Sequence, residues 1–315
     1  MDSFSEARFN NDDAARAYLE RLRWPEGPIC PHCGTINHAY AIKPAGTYRC
    51  AEAACRGNFT VTMNSPMERS HIALHKWVLA FHLLCSSKKS MSAHQLHRTL
   101  GITYRSAWFM AHRVRECMRA GGLAPPIPMG GAGKVVEADE TYFGTINKDE
   151  LMPADPGKRG GKKRGVRRSA YRAVFALVER GGNVRTFHIA HADQNTVHAI
   201  MSANIAKETR IHTDESGIYK LAPWRFAKHE TIKHSAYEYA RGDVTTNTVE
   251  GYFSIFKRGM KGIYQHCGEK HLHRYLAEYD FRYNHRVKLG YNDGDRAAMA
   301  VKNADGKRLT YRQPD

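Results

Sequence analysis

Apolar and polar positions along the chain fall into stretches of period two and stretches of helical period. Residues 134–143 (KVVEADETYF) alternate, with Glu137, Asp139 and Thr141 on one side and Val136, Ala138, Glu140 and Tyr142 on the other, which predicts a strand. Residues 172–180 and 183–191 predict two more, joined through Gly181, Gly182 and Asn183 as a hairpin. A helix over about 195–206 leads into a short strand that ends at Asp214 and is broken by Gly217. In that strand Ile211 and Thr213 face one way, and His212 and Asp214 the other. A further strand is expected near 230–234. Beyond Asn247 the period becomes helical: Val249, Phe253, Phe256 and Met260 share one side, and Glu250, Ser254, Lys257 and Lys261 the other. Residues 268–286 predict a last helix, whose Tyr275, Tyr279, Phe281 and Tyr283 are mostly core positions interleaved with Arg274, Arg282 and Arg286.

Three strands, a helix, a strand, then a strand and a helix make an α/β (α+β) pattern. It matches a ribonuclease-H-like mixed sheet with helices on both faces. The segments before it are helical. Residues 10–23 carry acids in the first turn and bases in the last, which suits the helix dipole. Residues 71–84 follow with helical spacing. Helices over 92–100 and 104–119 then flank Gly101, which is the helix-turn-helix pattern; a plain three-helix bundle shares that periodicity. In the first reading Thr103, Arg105 and Ser106 open a recognition helix. The expected division is an N-terminal helix (1–25), a cysteine-bearing ribbon (26–66), a helix-turn-helix-like DNA-binding domain (67–120), a Gly/Pro-rich linker (121–133), the α/β domain (134–290) and a fraying polar tail (291–315).

The cysteines sharpen this picture. Cys30 and Cys33 form one close pair, and Cys50 and Cys55 form a second after sixteen intervening residues. Four thiolates so spaced predict a structural Zn²⁺ ribbon, which would order a segment poor in apolar residues. Two disulfides, or four unrelated thiols, are the alternatives, and the nearby His32 and His38 leave the ligand set open. Cys85, Cys117 and Cys267 lie in apolar helical contexts and are expected to be plain buried residues.

Charge points to the partner. The 315 residues hold 48 Lys and Arg against 31 Asp and Glu, a net charge of +17. An excess of this size favours a polyanion through counterion release. It is concentrated between Lys158 and Arg172, where eight of fifteen residues are basic and none is acidic. Lys162, Lys163, Arg164, Arg167 and Arg168 in that stretch are candidate phosphate contacts, as are Lys257, Arg258 and Lys261 on the last amphipathic face but one. The chain shows no apolar run of membrane length and begins with polar and acidic residues, so a cytoplasmic, nucleoid-associated protein is expected, with no membrane partner.

Against this basic background the acids stand out. Glu137, Asp139 and Glu140 crowd a strand otherwise fit for burial, and Asp214 ends another. Glu250 opens a helix thirty-six positions later. Converging carboxylate oxygens suit hard divalent cations at a two-metal phosphoryl-transfer site. Pattern alone does not choose between Glu137 and Asp139. Asn247 with Glu250 three residues later also reads as a capping box, in which Glu250 would only satisfy backbone donors.

These stretches resemble one family. The two cysteine pairs, VEADETYFG, HTDESGIY, and NTVEGYFSIFKRG with the following FRYNH are similar to the bacterial insertion-sequence DDE transposases of the ISXO2-like group. The resemblance spans nearly the whole chain. It implies that Asp139, Asp214 and Glu250 are the catalytic, metal-binding triad, with Mg²⁺ or Mn²⁺ as cofactor. It also implies cleavage of double-stranded DNA at terminal inverted repeats, followed by strand transfer into target DNA. Lys257 fits the lysine that related enzymes carry seven positions after the glutamate, whereas Thr246 stands where an arginine is common. A homodimer or higher oligomer on DNA is the expectation, since two element ends must meet. Two other readings are a DNA-binding regulator derived from a transposase and a structure-selective nuclease; the full acidic set speaks against the first and the N-terminal DNA-reading module against the second.

Overall fold

The computed structural model describes residues 5–121, 127–145 and 171–309. The chain forms two compact units, one from residues 1–120 and 285–315 and one from residues 121–284. Among the described residues no helix is long and apolar enough to cross a membrane.

The first unit begins with α1 (Asp12–Arg23), capped by Asn11, whose side chain accepts from the Ala14 N–H. A three-stranded antiparallel sheet follows: β1 (Ala39–Ile42), β2 (Thr47–Cys50) and β3 (Asn58–Thr60). Aromatic residues supply its packing. Trp24 meets Tyr48 and Phe59 edge-on at 5.5 and 5.7 Å, and those two rings stack at 5.9 Å. Then come α2 (Leu74–Ser86), α3 (Ala93–Leu100) and α4 (Tyr104–Met118). Gly101 takes the left-handed conformation (φ 58°) that closes α3 and turns the chain into α4.

The expected frayed tail after residue 290 is corrected. α8 (Asp293–Lys302) starts with a capping box between Asn292 and Asp295 and buries Ala297, Ala300 and Val301. Arg296 ties it to α2, donating from Nε to the Cys85 carbonyl at 3.0 Å. A stripe built from alanines has little hydrophobic contrast in sequence, yet small side chains let helices approach closely.

The second unit is a five-stranded sheet in the order β6-β5-β4-β7-β8. Its strands are β4 (Val135–Thr145), β5 (Tyr171–Glu179), β6 (Val184–Ile189), β7 (Arg210–Asp214) and β8 (Lys228–Ile232). β5 runs antiparallel to both β4 and β6, while β7 is parallel to β4 and β8 to β7. This mixed topology is ribonuclease-H-like. β8 lies two residues earlier than the sequence pattern suggests.

Alternation on β5 supplies both cores. Phe175 and Leu177 pack with Val136, Ala138, Ile211 and the residues Val197 and Met201 of α5 (Gln194–Asn204). Val174, Ala176 and Val178 pack on the other face against Val249, Phe253 and Phe256 of α6 (Asn247–Gly259) and Leu276 and Tyr279 of α7 (Leu272–Asn284). Each such fully buried large side chain contributes ~1.5–3 kcal/mol.

α7 also closes the β6 edge of the sheet. The Asn284 side chain accepts from the Val184 N–H at 2.7 Å and donates to the Val184 carbonyl at 3.0 Å. One helical turn away, Asp280 accepts from the Thr186 N–H at 2.9 Å, from the Thr186 hydroxyl, and from the Tyr252 hydroxyl of α6 at 2.7 Å. Side chains at i and i+4 thereby stand in for a missing strand, and the edge is not left open for pairing. Burial pushes the Asp280 carboxyl up to about 7 even among these donors.

Candidate active site and metal-ligand cluster

The parallel ladder between β4 and β7 sets Glu137 beside His212. The pairing ends there; Asp139 and Asp214 follow two residues on along their strands, near enough for the Asp214 charge to act on Asp139. Asp139 and Thr141 face α6, together with Glu137, while Glu140 faces the α5 side and accepts from the Tyr219 hydroxyl at 2.7 Å. Glu250 sits in the first turn of α6, exposed, and accepts from the Thr246 hydroxyl at 2.7 Å.

Asp139, Glu140 and Thr141 of β4 line an open cleft of about 690 Å³, whose other wall carries Glu250, Ser254, Lys257, Arg258 and Lys261. Asp139 of β4 thus meets the polar face of α6, on which Glu250 and the bases stand together. Burial, reinforced by the negative charges of Glu140, Asp214 and Glu250, pushes Asp139 up to about 8. Burial also raises Glu140, and Tyr219 is held far above its ordinary range. A cluster of hard oxygen donors whose charges penalise one another fits a divalent cation, which would favour the ionised forms. The three carboxylates are nevertheless not drawn tightly together. Among the described residues, the group of three or more ligand atoms within 4.8 Å of one another is the cysteine cluster.

The structure separates Glu137 from Asp139. Glu137 is fully buried and accepts five hydrogen bonds. Arg180 donates from Nε and an Nη at 3.0 and 2.7 Å, the Thr248 and Val249 N–H groups at 2.7 and 3.0 Å, and the Thr248 hydroxyl at 2.8 Å. It therefore caps α6 from a strand, satisfying helix donors that have no partner within the helix. Arg180 also donates to the Asp243 carbonyl and to Nδ1 of His212. Burial and the neighbouring Arg180 and Arg210 hold His212 below its ordinary value, so its neutral ring can accept that bond.

The capping-box reading of Asn247 and Glu250 is corrected. Thr246 is the N-cap residue and makes no side-chain cap, and Asn247 donates its N–H to the Thr245 hydroxyl. With Glu137 and Thr245 serving these donors, the Glu250 carboxylate is left to face the cleft. Sequence reasoning missed Glu137, Arg180 and Thr246 as supports. The one signal was that Glu137 falls on the same strand face as Asp139.

In the first unit Cys30, Cys33, Cys50 and Cys55 converge within 4.8 Å. The Cys30–Cys55 and Cys33–Cys50 Sγ distances are 3.7 and 3.6 Å. Four sulfurs ~2.3 Å from a common ion in a tetrahedron stand ~3.8 Å apart, so the spacing suits one zinc. His32 instead meets the Asn58 carbonyl and His38 the Glu52 carboxylate, so neither belongs to the cluster. Cys85 and Cys117 are buried as expected, but Cys267 is half-buried in the loop before α7.

Thr103 caps α4, accepting from the Ser106 N–H and donating to the Ser106 hydroxyl, so both residues shape the start of that helix; Arg105 between them is exposed. Lys162, Lys163, Arg164, Arg167 and Arg168 lie outside the described residues.

The profile of the ISXO2-like transposase domain matches residues 130–284, and that of the transposase zinc-ribbon domain matches residues 10–58. A relative from Halobacterium salinarum, named as an uncharacterized protein in transposable element ISH50, is 26% identical over 259 residues. The match covers 79% of this chain and 83% of the relative. Among solved structures, the simian T-cell lymphotropic virus intasome is 15% identical with a TM-score of 0.28, covering 59% of this chain and 63% of that one. The Mos1 mariner paired end complex with Mn is 13% identical with a TM-score of 0.21, covering 72% and 78%.

Proposed function

Because the chain belongs to the ISXO2-like transposases, we propose that it cuts DNA at the ends of its element and joins them to target DNA, with Asp139, Asp214 and Glu250 as the metal-binding catalytic triad. The observation that carries this reading is the cleft in which Asp139 faces Glu250, Lys257, Arg258 and Lys261. Mg²⁺ or Mn²⁺ held by the three carboxylates would activate the attacking water or 3′ hydroxyl and stabilise the leaving 3′ oxygen.

The chain's own residues do the rest. Asp139 surrenders its proton on loading, which the burial and crowding around it otherwise oppose. Thr246 orients Glu250 through one hydrogen bond, and the Glu137–Arg180 pair anchors the helix that bears it. Lys257, Arg258 and Lys261 offset the charge of the DNA strand and align its phosphate for in-line attack. No covalent protein intermediate is required. In the first unit, zinc held by the four cysteines would order the ribbon, and α4 would present Arg105 to the DNA groove.

The test is a cleavage and strand-transfer assay on DNA carrying the element's ends, with Mg²⁺ and with EDTA. Asp139→Ala, Asp214→Ala and Glu250→Ala are each expected to abolish cutting while end binding persists. Wild-type cutting by any of the three would remove that residue from the triad. Specific binding without cutting under any metal would favour a regulator, and cutting without joining a nuclease.

A further inference from the structure

The loop between β8 and α6, residues 233–241, is pinned to the acidic cluster yet holds two aromatic rings out in solvent. Ser235 donates its N–H and its hydroxyl to the carboxylate of Glu215, the residue after Asp214, at 3.0 and 2.9 Å. His234 places Nε2 3.6 Å from Glu250 Oε1 and 3.5 Å from the Thr246 hydroxyl. The Tyr239 ring lies 6.0 Å from the His234 ring, so it stands one side chain away from Glu250. The loop is therefore anchored beside both Asp214 and Glu250.

Nothing in the packing explains the tyrosines. Tyr237 is 83% exposed and Tyr239 63% exposed. Tyr237 also holds a left-handed backbone (φ 57°, ψ 23°), a conformation that disfavours a residue with a bulky side chain. A single exposed tyrosine needs no account, but two on a tethered loop at the rim of a charged cleft do. Lys233 and Arg241, both exposed, flank them. Aromatic faces set between cations match one chemistry, that of single-stranded nucleic acid, in which bases stack and phosphates lie alongside.

Resting on the reading of the acidic cluster as a DNA-strand site, we propose that this loop seats an unpaired nucleobase beside the scissile phosphate, stacked on Tyr239 with Tyr237 extending the platform. A duplex presents its phosphodiester on a rigid curve, and freeing one base at the end lets the backbone bend toward Asp139 and Glu250. Stacking offsets the lost pairing, and every base has a face to offer, so the seat is tolerant of sequence.

The experiment compares the full-length chain on two DNAs in EDTA, a blunt duplex and the same duplex with one unpaired 2-aminopurine nucleotide at its 3′ end. Wild type is expected to bind the overhang about 5- to 150-fold more tightly than the blunt end and to quench the 2-aminopurine fluorescence. Tyr237→Ala/Tyr239→Ala is expected to lose both the preference and the quenching while binding the blunt duplex as wild type does. Tyr239→Phe, which keeps the ring, is expected to retain both. Equal wild-type binding to the two DNAs, or a preference that survives in the double alanine variant, would overturn the stacking seat alone. Failure to bind either DNA would overturn the DNA reading on which it rests.

Discussion

Replacing Glu137 with alanine strips five hydrogen bonds from the point where β4 meets α6. Two of them cap backbone N–H groups of the helix, and loss of such a cap costs about 1–2 kcal/mol. The pair with Arg180 is more costly to break, because removing one partner of a buried pair strands the other; such losses run about 3–5 kcal/mol. The Arg180 side chain keeps 31% of its exposure and can recover water, which places the whole effect near the low end, at about 3 kcal/mol. For a unit of this size each kcal/mol moves the midpoint by about 2–4 °C, so Glu137→Ala should melt about 6–12 °C below wild type. Glu137→Gln keeps one carbonyl acceptor but turns an amide toward existing donors, and should lose about half as much. Scanning calorimetry of the metal-free protein would read both. A shift below about 2 °C in Glu137→Ala would refute the capping argument, and so would an equal loss in the two variants.

Three charged groups around one buried carboxylate make the metal-free site sensitive to pH. Asp139 stands near 8 and Asp280 near 7 in the folded protein, both above their ordinary value. The folded state thus holds protons that the unfolded chain has released, so stability should fall as pH rises from about 4 to 8. Asp139→Asn removes the larger of these liabilities; water in the open cleft reduces its size, leaving a gain of roughly 2 kcal/mol at pH 8 and almost none at pH 4. Urea melts at the two pH values check this, and a variant no more stable than wild type at pH 8 contradicts it. Stripping zinc with a chelator, or Cys50→Ser, should unfold the ribbon outright, since structural zinc contributes on the order of 10 kcal/mol to such domains; circular dichroism with metal analysis would show it, and an unchanged first unit after verified metal loss would refute it. Asn284→Ala opens the β6 edge and should cost about 1–2 kcal/mol by denaturant midpoint, with faster aggregation on heating; a neutral effect on both would count against edge protection by α7.

Much of this protein was legible before any coordinates, because its signals are local. Two close cysteine pairs announce a shared ion, and the four thiols do converge. Period-two alternation on β4 put Asp139 on one strand face, and helical period on α6 put Glu250 and Lys257 on the side away from the core. The order of strands and helices sufficed for the sheet, since few topologies satisfy it. The helices expected on either side of Gly101 also form, with that glycine in the left-handed turn between them.

What remained hidden depends on pairs of residues far apart in the chain. Glu137 and Asp139 share a strand face and a chemistry, and only the crossing of β4 with α6 gives the first to a helix terminus and the second to the cleft. The partners of Glu137 lie 43 and 111 positions away, at separations that no local pattern spans. Glu250 reads in sequence as the end of its own capping box, and it is released from that duty by a carboxylate from another element. α8 looked like a tail because its buried stripe is alanine, whose small surface contributes little contrast until a neighbouring helix covers it. The sequence by itself decided which elements form and which chemistry they carry; the tertiary structure decided which of several equivalent carboxylates supports the site and which faces it, because that choice rests on register and contact rather than composition.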